Sequence, residues 1–129
     1  MAVTFISYAE ANRHTVAKIK GRALNSRYPH LDFKVQDLLK RWDTEDDIVI
    51  KQAISKSIKG TSRTIVFVGE HTHKSKWVHH EVYSTIARKK PVYAIWLKDE
   101  KGKVPKCLSD NDIRVYVWSE VRLQELATK

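Results

Sequence analysis

Residues 64–68, Thr-Ile-Val-Phe-Val, and residues 92–97, Val-Tyr-Ala-Ile-Trp-Leu, are short runs rich in apolar, β-branched and aromatic side chains. Such runs are typical of β-strands. A strand with one face in water alternates apolar and polar residues, whereas these two runs are almost continuously apolar. They therefore predict strands that are covered on both faces, as the strands of a parallel sheet are.

Three further strand-like runs, at residues 3–8, 31–35 and 113–118, extend this pattern toward both ends of the chain. Between the runs, apolar residues recur at the spacing expected of helices that cover a sheet. Three helices are predicted in this way, spaced by Val16, Ile19, Ala23 and Leu24, by Ile50, Ala53, Ile54 and Ile58, and by Val78, Val82 and Ile86.

The alternation of strand and helix predicts an α/β fold with a parallel sheet, right-handed crossovers and helices on both faces. Five strands in 129 residues suit the flavodoxin-like order 2-1-3-4-5. Residues 1–129 have the size of a single domain. The fourth crossover, residues 99–112, has no clear period and is expected to be irregular. Ligands of such sheets bind beyond the carboxyl ends of the strands, near the switch point between strands 1 and 3.

The ends of the second and third helices carry recognisable signals. Thr44 precedes an acidic run and is expected to cap the second helix, which Gly60 is expected to end. The third helix follows the polar loop 71–75 and ends in the basic run 88–90, just before Pro91.

The charge balance favours anionic partners, because 24 Lys and Arg against 15 Asp and Glu leave a formal charge of +9. The basic residues are dispersed along the chain, and a solvated basic surface explains them equally well. No recognition helix with interleaved aromatic residues is present in the sequence, so nucleic acid is not the expected partner.

Targeting signals and cysteines point to the cytoplasm. The opening run 1–8 lacks a basic segment and is too short for a signal peptide or a membrane span. Cys107 is the single cysteine, which excludes an internal disulfide and fits a reducing compartment. We therefore expect a cytoplasmic protein with no membrane partner.

The start of the third helix, Ser75-Lys-Trp-Val-His-His-Glu81, carries the strongest candidate for chemistry. Trp77 and Glu81 are spaced i, i+4 and are neighbours at the margin of the apolar stripe. A carboxylate in the first turns after strand 3 is expected near the ends of strands 1 and 3. The alternative is a solvated glutamate beside a packing tryptophan.

Histidines and glycines point to no competing chemistry. His71, His73, His79 and His80 cluster in sequence, but adjacent residues of a helix diverge by about 100°, so His79 and His80 do not easily share a metal ion. No metal site is predicted. The sequence contains only four glycines and no GxGxxG or Walker loop, which argues against Rossmann oxidoreductases and P-loop NTPases.

Several segments resemble the TIR and TIR-like superfamily, and most closely the TIR-like subunit of the bacterial Thoeris anti-phage system. The resemblance runs from about Val3 to Leu97 and is carried by Phe5-Ile-Ser-Tyr8, Trp42-Asp43 with Asp47-Ile48, the strand 64–69, and the element 75–81. The Ser-x-Trp-x-x-x-Glu spacing is its most specific part. The family commonly has cysteine where this chain has Val78.

The resemblance implies that NAD⁺ is the substrate, that no cofactor is needed, and that Glu81 is the catalytic carboxylate. It implies cleavage of the nicotinamide glycosidic bond, often with cyclisation to a diffusible nucleotide that reaches a separate effector protein, and it implies self-association. The expected substrate-contacting residues are Ser7, Tyr8, Trp42, Asp43, Ser75 and Trp77. Ser7 and Tyr8 could instead be a capping hydroxyl and a packing ring, and Trp42 and Trp77 could be packing anchors. A TIR-like adaptor that leaves NAD⁺ untouched is the alternative function.

Overall fold

A central parallel sheet organises the molecule, which we describe from a computed structural model over residues 3–23, 34–36 and 46–129. The strands are β1 (Val3–Tyr8), β2 (Lys34–Gln36), β3 (Arg63–Val68), β4 (Val92–Trp96) and β5 (Val115–Tyr116). They lie in the order β2-β1-β3-β4-β5, and every pair is parallel. In the central pair, Ser7 is level with Val66 and Tyr8 with Phe67.

Helices follow the strands along the chain. They are α1 (Arg13–Ala23), α2 (Asp47–Lys59), α3 (Lys76–Ala87), the short α4 (Lys106–Ser109) and α5 (Glu120–Thr128), with single 3₁₀ turns at Glu10–Asn12 and Thr72–Lys74. The α/β class predicted from the sequence, a parallel sheet with helices, is confirmed.

The hydrophobic core lies on both faces of the sheet. Side chains of a strand alternate between its faces, and β1 and β3 accordingly send apolar residues in both directions. One face packs on α1 and α5 through Ile6, Tyr8, Val16, Ile19, Ile65, Phe67, Ile95, Leu97, Leu123, Leu126 and Ala127. The other packs on α2, α3 and α4 through Phe5, Ile50, Ile54, Ile58, Trp77, Val66, Val68, Val78, Val82, Ala94, Cys107 and Leu108.

The start of α2 differs from the prediction. Asp46 is its N-cap, and the Asp46 carboxylate accepts a 2.9 Å hydrogen bond from the Ile48 backbone N–H. The expectation that Thr44 caps this helix is wrong, because a cap must lie directly before the first helical residue, Asp47. Gly60 is the C-cap, as expected, with a negative φ of −86° that any residue can adopt.

The chain after β4 differs from the prediction at three elements. Residues 99–112 hold the single-turn helix α4, and β5 covers two residues where the sequence predicted six. Helix α5 was not predicted at all. Its signal is the N-cap Ser119, whose hydroxyl accepts from Arg122 N, followed by buried Leu123 and Leu126. Within the described residues, no helix has the length and apolar character needed to span a membrane.

Candidate functional site

A hydrogen bond between β1 and α3 forms the centre of the site. The Ser7 hydroxyl donates to Oε1 of Glu81 at 2.8 Å, across 74 residues of sequence. Ser7 is the penultimate residue of β1, and strand alternation places its side chain on the α3 face, as it does Phe5. Glu81 therefore lies beside the carboxyl-terminal end of β1, where the switch-point hypothesis expects it.

Glu81 is much more enclosed than the sequence suggested. Helical geometry placed it at the margin of the apolar stripe, but its side chain is 0% exposed, and Ser7 is equally buried. The expectation of a solvated or marginal glutamate is wrong because β1 packs directly over this turn of α3. Burying a carboxyl group is costly unless hydrogen bonds compensate, and the Ser7 hydroxyl supplies one.

A second set of buried hydroxyls fixes the same turn of α3 to β3. Thr85 Oγ1 donates to the Glu81 carbonyl oxygen at 2.8 Å, and Thr64 Oγ1 lies 2.7 Å from Thr85 Oγ1. A hydroxyl has one proton, so Thr64 is the donor to Thr85. Sequence reasoning missed both threonines. Their signal was a polar residue in an otherwise apolar strand and one on the buried side of the third helix.

Trp77 lies one turn before Glu81, and its ring is a buried packing residue rather than an exposed surface on which a ligand could stack. It is 5% exposed and packs with Phe5, Ile50 and Ile54 between the sheet and α2. The ammonium of Lys76 lies 4.7 Å from the centroid of the Trp77 ring, and the His80 ring meets it edge-on at 6.2 Å. Burial, with a smaller contribution from the nearby Lys51 charge, lowers the pKa of His80.

Ser75 is the N-cap of α3. Its hydroxyl accepts a 3.3 Å hydrogen bond from Val78 N, which satisfies one of the unpaired N–H groups at the helix start. Lys76 adds an exposed ion pair to Asp47 at 3.2 Å, which joins the starts of α2 and α3. The Ser-x-Trp-x-x-x-Glu spacing thus combines the cap, the buried tryptophan and the carboxylate of a single helix.

Tyr8 is not brought to this pair. Tyr8 faces away from Ser7 and packs in the apolar cluster with Val16 and Phe67 on the α1 and α5 side. Trp42 and Asp43 lie outside the described residues. Of the residues predicted to contact substrate, the structure therefore places Ser7 in contact with Glu81, and Ser75 and Trp77 in the first part of α3 before it, and their roles stay predictions.

The histidines beside the site form no metal centre in the described part of the chain. No group of three or more potential ligands occurs there. His79 Nε2 lies 3.4 Å from the His73 carbonyl oxygen, a local contact between the loop and the helix.

Three loops meet at the carboxyl edge of the sheet. Asn12 Nδ2 donates to Glu100 Oε1 at 2.9 Å, and the Glu70 backbone N–H approaches the same oxygen at 3.5 Å. A Cβ at Gly69 would lie 2.5 Å from Asn12 Oδ1 and 2.7 Å from Glu100 Oε1, so a side chain at this position would displace the ends of those two side chains. Sequence reasoning missed this cluster, which joins the segments after β1, β3 and β4.

The parallel strand order β2-β1-β3-β4-β5, with helices on both faces, defines a class of protein, the flavodoxin-like α/β domains. One similar solved structure is the TIR domain of the Toll-related receptor TRR-2 from Hydra magnipapillata, with a TM-score of 0.59 and 16% identity over 99% of this chain and 93% of that one. At this identity the likeness shows the fold alone.

The family follows from the sequence. The family model described as "Thoeris protein ThsB, TIR-like domain" matches residues 5–102, which is most of the chain. The chain therefore belongs to the Thoeris ThsB TIR-like family, and the resemblance seen in the sequence is confirmed. A comparison with curated proteins found no match.

Proposed function

We propose that this protein cleaves the nicotinamide glycosidic bond of NAD⁺, with Glu81 as the essential carboxylate. The observation that carries the proposal is the buried Ser7–Glu81 hydrogen bond at the carboxyl end of β1, in a chain of the Thoeris ThsB TIR-like family. A carboxylate kept in a low-dielectric site acts strongly on any positive charge that develops close to it.

The reaction suits a site with a single carboxylate. Ordinary glycosidases use one carboxylic acid to protonate the leaving oxygen and a second carboxylate on the opposite side. Nicotinamide leaves as a neutral molecule from a cationic pyridinium, so no acid is required. The task that remains is to stabilise an oxocarbenium-like transition state, which an anionic Glu81 held by Ser7 can do.

Substrate access requires a change of conformation. Glu81 is 0% exposed, and a fully buried carboxylate touches no ligand until its surroundings move. We propose that NAD⁺ binds to an opened form in which Trp77 continues to line one side of the site. Closure over the substrate then excludes water, which strengthens electrostatic stabilisation.

The proposal extends to the biological role. The product is an ADP-ribose derivative, cyclic or linear, that diffuses in the cytoplasm to a separate effector protein. Self-association completes or opens the site. Activity per molecule is then expected to rise with protein concentration, whereas a constant specific activity from nanomolar to high micromolar protein would oppose this part of the proposal.

The deciding experiment compares NAD⁺ turnover by the unaltered protein, by Glu81→Gln and by a matched control, Glu125→Gln. Glutamine keeps an acceptor for Ser7 but removes the charge, and a loss of about a hundredfold in turnover is expected. Glu125 is exposed on α5 in an ion pair with Arg122, and its substitution is expected to leave turnover unchanged.

The melting temperatures of the same preparations complete this test. We expect Glu81→Gln to melt within about 5 °C of the unaltered protein, because it removes a buried charge and keeps the hydrogen bond. Near-normal turnover by a folded Glu81→Gln protein would refute the catalytic role.

The complete burial of Glu81 favours one second candidate, a TIR-like adaptor that acts by assembly. In that case Glu81 is a structural residue that ties α3 to β1. The unaltered protein would then self-associate without consuming NAD⁺ at any concentration.

A further inference from the structure

A basic cavity lies on the side of the sheet that faces away from Glu81. It has a volume of about 550 Å³ and is lined by residues of α1, of the segment after β4, and of the segment from β5 into α5. The residues that matter here are Lys18 and Arg22 on α1, Lys98, Trp118 and Glu120. Its size is within the range of about 300–1,000 Å³ that is usual for small-ligand sites.

The charge of the cavity selects an anion. Lys18, Arg22 and Lys98 carry three positive charges against the single negative charge of Glu120, a net of +2. Glu120 pairs with Arg22 at 3.3 Å between side chains that are 31% and 33% exposed, so the Arg22 guanidinium is held in place. Lys18 and Lys98 make no ion pair with any described residue.

Arg22 and the two lysines have the donors that bind phosphate. Arg22 lines the cavity, and its Nη2 lies 3.3 Å from Glu120 Oε1, so the guanidinium has a fixed partner at the cavity wall. Phosphate oxygens are well suited to a guanidinium fork and to lysine ammonium groups.

Trp118 adds a recognition element for a planar ring. The indole is partly buried, packs against the cluster formed by α1 and α5, and still lines the cavity. An aromatic ring fixed beside cationic groups is the arrangement on which nucleobases stack while their phosphates are bound. Thr15, at the other end of the α1 lining, offers a hydroxyl.

We propose that this cavity binds a nucleoside phosphate, with the phosphates on Lys18, Arg22 and Lys98 and the base on Trp118. The cavity is separate from the Ser7–Glu81 pair, because its α1 wall packs on the opposite face of the sheet from α3. The proposal does not depend on cleavage of NAD⁺, and it applies equally to an enzyme and to an adaptor.

Calorimetric titration of the full chain with ADP tests the proposal. Binding is expected below about 1 mM, and the Lys18→Ala/Lys98→Ala double variant is expected to raise Kd by about tenfold or more, because two charge-assisted contacts are lost. Both lysines are exposed, so the variant keeps the core. Lys103→Ala, an exposed lysine that does not line this cavity, is the matched control and is expected to change Kd by less than about twofold.

Two further measurements distinguish a nucleotide from a simple phosphate as the ligand, and this cavity from the Glu81 site as the place where it binds. Trp118→Leu is expected to raise the Kd for ADP by about fivefold or more while that for pyrophosphate stays unchanged, because only the base stacks. Glu81→Gln is expected to bind ADP like the unaltered protein. Failure of ADP to bind, equal binding by the double-lysine variant, pyrophosphate that binds as tightly as ADP, or loss of binding in Glu81→Gln alone would each overturn the proposal.

Discussion

The two faces of the sheet are built differently, although the same strands supply both. Toward α1 and α5, β1 and β3 present Ile6, Tyr8, Ile65 and Phe67, a continuous apolar layer. Toward α3, the same strands present Ser7 and Thr64, whose hydroxyls join Glu81 and Thr85 of the helix. Both faces combine packing with buried hydrogen bonds, but toward α5 these bonds run from Thr4 and Arg63 to backbone carbonyl oxygens, whereas toward α3 they join one side chain to another.

The difference affects how precisely each helix is positioned on the sheet. The apolar contacts toward α1 and α5 are non-directional and do not by themselves fix the axial positions of these helices. A buried hydroxyl loses its partner when a helix slides by even one turn, and the unmade bond is costly. The Ser7–Glu81 and Thr64–Thr85 hydrogen bonds therefore set the axial position of α3, and with it the position of the Glu81 carboxylate.

The largest expected effect is on the packed face. Phe67 is fully buried in the cluster between β3 and the helices α1 and α5. Phe67→Ala is expected to lower the free energy of unfolding by about 3–5 kcal/mol through lost burial and a cavity. Chemical denaturation measures this loss, with Val117→Ala, at an 81% exposed position, as the control. A loss below about 1 kcal/mol would contradict the assignment of this face as the packed one.

The next largest effect is expected from the Thr64–Thr85 hydrogen bond, on the face of the sheet that packs on α3. Thr85→Val keeps the shape but leaves the Thr64 hydroxyl without its acceptor, at an expected cost of about 1–3 kcal/mol. Adding Thr64→Val removes the stranded hydroxyl, so the double variant is expected to lose less than the sum of the two single variants. A double-mutant cycle by denaturation measures this coupling, and strict additivity would mean that the two hydroxyls do not interact.

A smaller effect, on NAD⁺ turnover, is expected from removing a hydroxyl on one face of β1, and a hydroxyl on its other face serves as the control. Ser7→Ala removes the donor to Glu81, and NAD⁺ turnover is expected to fall about tenfold if that bond positions the carboxylate. Thr4→Val is the matched control, because Thr4 donates to the Ala127 carbonyl oxygen at 3.4 Å on the opposite face. The comparison fails if both variants reduce turnover equally, since the hydroxyls would then matter only for folding.

The smallest effect concerns the reactivity of the Cys107 thiol. Burial raises the pKa of the Cys107 thiol to about 11, so the thiolate is scarce at neutral pH and reactivity is low. Cys107 is a residue of α4 and packs in the cluster with Val78 and Val82 of α3. We expect no labelling by a thiol reagent at pH 7.5 in the native protein and rapid labelling in denaturant, measured by mass spectrometry. Rapid labelling of the native chain would show that this edge of the α3 face opens readily.

The sequence predicted the elements whose apolar pattern is strong. Strand β1 has the predicted bounds, and β3 and β4 differ from theirs by one residue, because continuous apolar runs mark buried strands clearly. Strand β5 is short, at the edge of the sheet, where pairing on one side limits its length. Helix α5 was missed because its exposed Val121 weakens the apolar period that Leu123 and Leu126 carry.

The candidate site was predicted in part. The spacing of Trp77 and Glu81 located the helix face, and the position of Ser7 at the end of a strand located its partner. The depth of Glu81 could not be predicted, because burial depends on how closely β1 and α3 approach, which no local pattern encodes. The side of the sheet that Tyr8 faces follows from strand alternation once Ser7 is placed toward α3.

The carboxylate of Glu100 has a mechanical consequence. Its Oε1 accepts a 2.9 Å hydrogen bond from the Asn12 amide, lies 3.5 Å from the Glu70 backbone nitrogen, and would be 2.7 Å from a Cβ at Gly69. The segments that follow β1, β3 and β4 therefore meet at one carboxylate. A displacement of the segment after β1 relative to that after β4 breaks the Asn12–Glu100 hydrogen bond, so these two segments are coupled mechanically at this edge of the sheet.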